Sequence, residues 1–272
     1  MAVDREAIEQ GYTRAMVRLA VAYNTGKGVT KNVSQFAAWA RRAADFGNPK
    51  GAYLMGYAHA MGRGVPQDRS EAVKWYRHSA ENGYHKAQYH LAVAYNTGRG
   101  VQKNAAQFAE WAHKAALQGN VKAQYLMGFA YLRGHGVAQN APESVKWYRR
   151  SAENGYHKGQ YFLALALEQG RGVKADRDEA YIWAYLADKG GNKLAGTLMS
   201  RVAKIMSSDE IARAKQIQGV PHSALEAQPP TRSIQRDLRR LGFNARRADG
   251  LIGPARGLGI KAYQRGWRLA EN

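Results

Sequence analysis

The residue types that usually carry chemistry are scarce in this chain and poorly placed for it. There is no cysteine, which removes thiolate nucleophiles, thiolate zinc sites and disulfides. The eight histidines do not fall at metal-ligand spacings. His85 and His157 occupy equivalent places in a repeat and read as solvated polar residues. Gly-x-Gly occurs at Gly26, Gly62, Gly98, Gly134 and Gly170, but no Lys-Ser/Thr follows and no strand pattern precedes, so these are not phosphate loops. Asp249 before Gly250 reads as a turn carboxylate rather than a catalytic acid. No catalytic residue, metal site or cofactor is therefore expected.

What remains favours contact over catalysis. Formal net charge is +20, from 41 basic and 21 acidic residues, and implies attraction to anionic partners. Residues 231–272 hold ten of the basic residues and three of the acidic ones, so the tail is the more basic segment per residue. No recognised nucleic-acid motif accompanies it, and solvated charge or attraction to wall carboxylates is the preferred reading. The 45% hydrophobic content is too high for disorder. No run of about 18 apolar residues is present to span a membrane, and no basic-then-apolar leader is visible.

The elements that would position a binding surface follow from a period of 36 residues. Each Gly-x-Gly is completed by a valine: Val29, Val65, Val101, Val137 and Val173. Such a period implies a solenoid, whose units bury their apolar faces by stacking on neighbours. After each turn comes Asn32, Asp68, Asn104, Asn140 or Asp176, with Gln35, Glu71, Gln107, Glu143 or Glu179 three residues on. This capping-box pattern starts a helix. The helix carries Trp39, Trp75, Trp111, Trp147 or Trp183, read as a packing wedge between units. It stops at Gly47, Gly83, Gly119, Gly155 or Gly191.

The other helix of each unit precedes the turn. One stripe of it is small or apolar: Ala15, Gly51, Ala87, Ala123 and Gly159, then Leu19, Met55, Leu91, Met127 and Leu163, then Ala22, Ala58, Ala94, Ala130 and Ala166. A second stripe carries Tyr53, Tyr57, Tyr89, Tyr125, Phe129 and Tyr161. Packing is its commoner role, and a protein-binding face is the functional one. The columns also show a double period. Units one and three share Ala-Tyr-Asn-Thr-Gly, and units two and four share Ser-Ala-Glu-Asn-Gly-Tyr-His-Lys, as in a duplicated pair of 72 residues.

These columns resemble the Sel1-like repeat, a relative of the tetratricopeptide repeat. Unit four carries the pattern as Ala123, Tyr125, Met127, Gly128, Tyr131, Gly134, Gly136, Val137, Trp147, Tyr148, Ala152 and Gly155. The resemblance implies an all-α, right-handed α-solenoid of helical hairpins that serves as a scaffold for protein partners, without enzymatic activity. Five repeats are placed at 12–191. Residues 1–11 continue the columns backwards, with Gly11 in the helix-ending position, as the end of a preceding repeat or an N-terminal cap. Residues 192–218 read as capping helices, with Ser207 and Glu210 as a capping box, and 219–230 as a linker.

Residues 231–272 contain Leu241-Gly242-Phe243, Asp249-Gly250-Leu251-Ile252-Gly253-Pro254 and Tyr263-Gln264. They are similar to the small three-helix peptidoglycan-binding domain of bacterial wall proteins. Arg256 stands where that family has a capping threonine, and Gly257 and Gly259 follow, which weakens the last helix. The resemblance implies a peptidoglycan site at Phe243, Arg246, Arg247, Asp249, Tyr263 and Arg265. The module order is similar to the periplasmic part of polar localisation factors of the PodJ type, which implies a periplasmic or cell-envelope scaffold. A cytoplasmic or secreted adaptor with a vestigial tail, and an accessory part of a wall hydrolase, are the alternatives.

Overall fold

A computed structural model describes residues 2–218, with side chains from Tyr12 to Ala212 and at Ala214. Among the described residues the chain forms twelve helices and no strand: α1 (Ala2–Thr25), α2 (Val33–Asp45), α3 (Pro49–Met61), α4 (Arg69–Glu81), α5 (His85–Thr97), α6 (Ala105–Leu117), α7 (Val121–Arg133), α8 (Ala141–Glu153), α9 (His157–Gln169), α10 (Arg177–Lys189), α11 (Ala195–Ala203) and α12 (Ser208–Gln218). These are consecutive hairpins of the expected solenoid kind. They fall into two compact units. The first runs to Ala123 and includes 135–137; the second holds 124–134 and the chain from Ala138 on.

Each second helix starts as its cap residues require. The side chains of Asn32, Asp68, Asn104, Asn140 and Asp176 accept from the N–H three residues on, at 3.0–3.1 Å. The reciprocal half of the box is replaced. The cap residue's own N–H donates to a carbonyl of the preceding helix, such as Tyr23 O for Asn32 and Leu167 O for Asp176. That bond ties the hairpin together and frees the third helical side chain. Gln107 and Glu179 accept from the indoles of Trp111 and Trp183 at 3.2 Å. Ser207–Glu210 closes both halves.

The helices end in Schellman motifs. Gly47 N–H donates to Ala44 O and Asn48 N–H to Ala43 O, and the same pair of bonds recurs after Gly83, Gly119, Gly155 and Gly191. Gly11 departs from this column. The backbone of α1 is helical through it, so it does not end a helix there.

The two glycines of each turn have different work. The first, such as Gly98 at φ 73°, closes the first helix in the left-handed region. The second also has positive φ, but it lies against the preceding repeat. A Cβ on Gly64, Gly100 or Gly136 would come 2.0, 2.2 or 1.9 Å from the carbonyl oxygen of Val33, Arg69 or Ala105, the first residue of the previous second helix. Gly172 meets Ala141 in the same way, at 2.4 Å. At Gly28, with φ +77°, nothing lies within 4 Å.

The apolar stripe is buried in α3, α5, α7 and α9, at Gly51, Ala87, Ala123 and Gly159 and at Met55, Leu91, Met127 and Leu163. In α1 the expectation fails. Ala15 is exposed and Leu19 and Ala22 are half-buried, while Met16, Val17 and Ala20 enter the core. Gly51 packs on Ala43 and Ala44 of α2; no second helix precedes α1 among the described residues.

The double period is a packing alternation. Phe36 pairs with Ala40 and Phe108 with Ala112, all fully buried; Tyr76 pairs with Ala72 and Tyr148 with Ser144. The aromatic ring thus moves by one helical turn between odd and even repeats, at nearly constant volume. Where it moves, the facing first-helix residue shrinks. A Cβ on Gly56 or Gly128 would lie 2.5 or 2.4 Å from the ring of Tyr76 or Tyr148, while Ala20, Ala92 and Ala164 hold that column elsewhere.

Trp111, Trp147 and Trp183 are buried, whereas Trp39 and Trp75 are half-buried. Trp111→Ala is expected to cost about 3–5 kcal/mol and Trp39→Ala less; equal melting shifts would contradict the stacked arrangement. A cleaner contrast is Gly28→Ala against Gly100→Ala. Both carry the left-handed penalty of about 1–2 kcal/mol, but only Gly100→Ala adds overpacking of about 1–3 kcal/mol. Thermal melts of the two variants should separate by several degrees, with Gly100→Ala lower.

Candidate protein-binding face

All six residues of the expected aromatic stripe are half-buried on first helices: Tyr53 and Tyr57 on α3, Tyr89 on α5, Tyr125 and Phe129 on α7, Tyr161 on α9. In unit 1, Tyr53 meets Tyr76, Tyr84 and His90 at centroid distances of 5.9, 5.1 and 5.7 Å. In unit 2, Tyr125 meets Tyr148, Tyr156 and Phe162 at 6.0, 5.7 and 5.6 Å. The two clusters are copies 72 residues apart. Tyr89 and Tyr161 stand edge-on to His90 and Phe162 at their margins. Tyr57 packs on Phe36 and takes the Arg63 guanidinium over its ring at 5.4 Å. Much of the stripe therefore binds repeat to repeat, and what it presents outward is the remaining half of each ring.

The histidines differ from the sequence reading. His85 is half-buried rather than solvated, and Asn120 brings its amide nitrogen to 3.3 Å from His85 Nδ1. His157 is also half-buried, with its carbonyl 3.5 Å from the Asn192 amide. His90 lies deeper, stacked on Tyr76 at 5.1 Å. Burial, and then the nearby charge of Lys122, push its pKa down to about 4, so it is neutral in the fold. Burial holds the Tyr53 and Tyr89 phenols above their usual range and raises Tyr84 to about 12.

Three features escaped the sequence reading. The first-helix cap alternates: Asn48 and Asn120 accept from two backbone N–H groups each, whereas Tyr84 gives no side-chain cap and packs on Tyr53 instead. Arg149, buried on α8, grips the Glu179 carboxylate on α10 through both nitrogens. Finally, Lys50, Lys86, Lys122 and Lys158 share one column, three residues before the tyrosines, and all four are exposed. This column was visible at the 36-residue spacing but has no apolar periodicity to single it out.

Among the described residues no group of three or more His, Asp or Glu is arranged to hold a metal, and no helix is long and apolar enough to cross a membrane. The expected peptidoglycan residues, Phe243, Arg246, Arg247, Asp249, Tyr263 and Arg265, lie outside the described residues.

The Sel1 repeat pattern matches residues 13–48, 49–84, 85–120, 121–156 and 157–192. The chain belongs to the Sel1 repeat family. The matched repeats begin one residue after the expected boundary at 12. A Sel1 repeat protein from Oxalobacter formigenes superposes with a TM-score of 0.66 at 29% identity, over 77% of this chain and 88% of that one. The Sel1-like protein c5321, a protective antigen present in uropathogenic Escherichia coli strains, superposes with a TM-score of 0.68 at 30% identity. It is covered over 56% of its length by 96% of this chain, which thus spans little more than half of that relative. No curated protein matches the chain significantly. Repeats of this family serve as protein-interaction scaffolds.

The duplicated clusters supply a test of His90. Its folded pKa of about 4 lies below the ordinary 6.5, so its contribution is full above pH 6.5 and is lost as pH falls towards 4. Tyr53, Tyr76 and Tyr89 surround it, and Lys122 is the charged neighbour. His90→Phe, copying Phe162, should remove about 1–2 kcal/mol of the stability lost between pH 7 and pH 5. Denaturant melts at both pH values check this; an unchanged pH dependence would mean that His90 is not neutral in the fold.

Proposed function

We propose that this Sel1 repeat chain is a non-catalytic scaffold of the bacterial cell envelope. It binds a protein through the first-helix face and peptidoglycan through residues 231–272. The observation that carries the protein-binding part is the recurrence of an exposed lysine and a half-buried tyrosine at one place on four successive first helices, in a family whose repeats are protein-interaction scaffolds. The wall-binding part is supported by the motif at Leu241-Gly242-Phe243, Asp249-Gly250 and Tyr263-Gln264 and by the basic charge of that segment.

Two measurements separate the parts. A photo-crosslinking phenylalanine analogue at Tyr89 or Tyr161 should give a discrete protein adduct in cells, whereas the same group at Lys74 or Lys146, exposed on second helices, should not. Equal adducts from both sets, or none, would refute the assigned face. For the wall, the full chain should pellet with insoluble peptidoglycan and a chain ending at Pro230 should stay in solution. Charge attraction between exposed groups is screened beyond roughly 10 Å at 0.1 M salt. Binding that vanishes as salt is raised would therefore be basic charge alone, without a specific site.

A further inference from the structure

The first helices carry a cation where helix stability disfavours one. Lys50, Lys86, Lys122 and Lys158 are each the second residue of α3, α5, α7 and α9. The N-terminus of a helix bears partial positive charge from its free N–H groups, so a carboxylate is stabilising there and an ammonium is not. Three of the second helices obey that rule, with Glu71, Glu143 and Glu179 in the first turns of α4, α8 and α10. The first turns of α3, α5, α7 and α9 contain no acid.

Nor does an acid elsewhere compensate. Lys74, Lys114 and Lys146 on second helices are paired with Glu71, Glu110 and Glu143. Among the described residues, none of the four first-helix lysines is in an ion pair. The acid borne by these first helices is Glu168 near the end of α9, which is taken by Arg201 at 2.5 Å. A cation without an ion-pair partner, repeated against the helix dipole, gains no stabilisation from the charges of its own helix.

The neighbouring tyrosines define what would sit there. Lys122 Nζ lies over the Tyr89 ring, 6.0 Å from its centroid, so this lysine reaches the tyrosine of the repeat before. Tyr53 has three rings against it. Binding of single-stranded nucleic acid relies on open aromatic faces for base stacking, and these rings are already engaged. Ammonium and phenol groups carried three residues apart on one helix instead suit carboxylates, which accept from both.

We propose that, in unit 1, Lys50, Lys86 and Lys122 together with Tyr53 and Tyr89 form a track for an extended acidic segment of a partner protein. Its Asp or Glu side chains are taken by successive repeats. This rests on the protein-binding reading and names the chemistry of the partner. Unit 2 carries the same pair at Lys158 and Tyr161.

The test is fluorescence anisotropy of a labelled oligoglutamate peptide on the full chain at physiological salt. A triple Lys50→Gln, Lys86→Gln, Lys122→Gln variant is compared with Lys27→Gln, Lys31→Gln, Lys103→Gln, which removes equal charge from exposed turn positions. The first should weaken binding by about tenfold or more and the second by less than about twofold. Tm of the first variant should hold or rise, because its lysines oppose the dipole, so weaker binding cannot be ascribed to unfolding. Equal loss in both variants would reduce the effect to net charge and overturn the track. Tighter binding of single-stranded DNA of matched charge, with the same lysine dependence, would overturn the acidic-peptide assignment. If oligoglutamate fails to bind while the Tyr89 adduct persists, the partner is not acidic and the protein-binding reading stands; failure of both removes both.

Discussion

The contact on which the array depends is backbone against backbone. The second glycine of the turn, at Gly64, Gly100, Gly136 and Gly172, presses on the first carbonyl of the previous second helix, at distances that leave no room for a Cβ. It fixes how near one hairpin comes to the next, and side chains fill the space that this separation leaves. Small residues such as Gly51 against Ala43 and Gly159 against Ser151 continue the close approach along the helices. Large rings then occupy the remaining gaps, alternately at Phe36, Tyr76, Phe108 and Tyr148.

Functional surface and structural surface overlap on the first helices. A tyrosine such as Tyr53 is half committed to three neighbouring rings, which locks its orientation and spends part of its area on cohesion. Rings held this way lose little further conformational freedom when a partner arrives, and preorganisation of that kind lowers the cost of binding. The lysines are the opposite case. They are exposed and unconstrained by ion pairs, and their contribution to any complex is charge complementarity and encounter rate more than packing.

Most of the architecture was legible because its determinants are local. A cap residue needs only its own turn of helix, so Asn32, Asp68, Asn104, Asn140 and Asp176 could be read from spacing alone, as could the glycines that demand positive φ. What could not be read depends on neighbours far along the chain. The cap N–H groups donate to the preceding helix rather than to the third helical side chain, a choice set by how the hairpin closes. His90 is indistinguishable in sequence from an exposed histidine until Tyr53 and Tyr76 are brought around it. Arg149 and Glu179 are thirty residues apart and meet only because two second helices stack. The continuity of α1 through Gly11 was not legible either, since Tyr12 follows it just as Tyr84 follows Gly83, where a helix does end.

The moving aromatic has a consequence for how such a gene can change length. Phe36 in an odd repeat faces Tyr57 of the next, and Tyr76 in an even repeat faces His90 of the next, as Tyr148 faces Phe162. The junction after Phe36 is therefore of one kind and those after Tyr76 and Tyr148 of another. Loss or gain of a single 36-residue copy by unequal recombination would join two repeats of the same phase, setting ring against ring at one junction or leaving a hole. Loss or gain of two copies keeps the phase. The heritable module of this array is the pair.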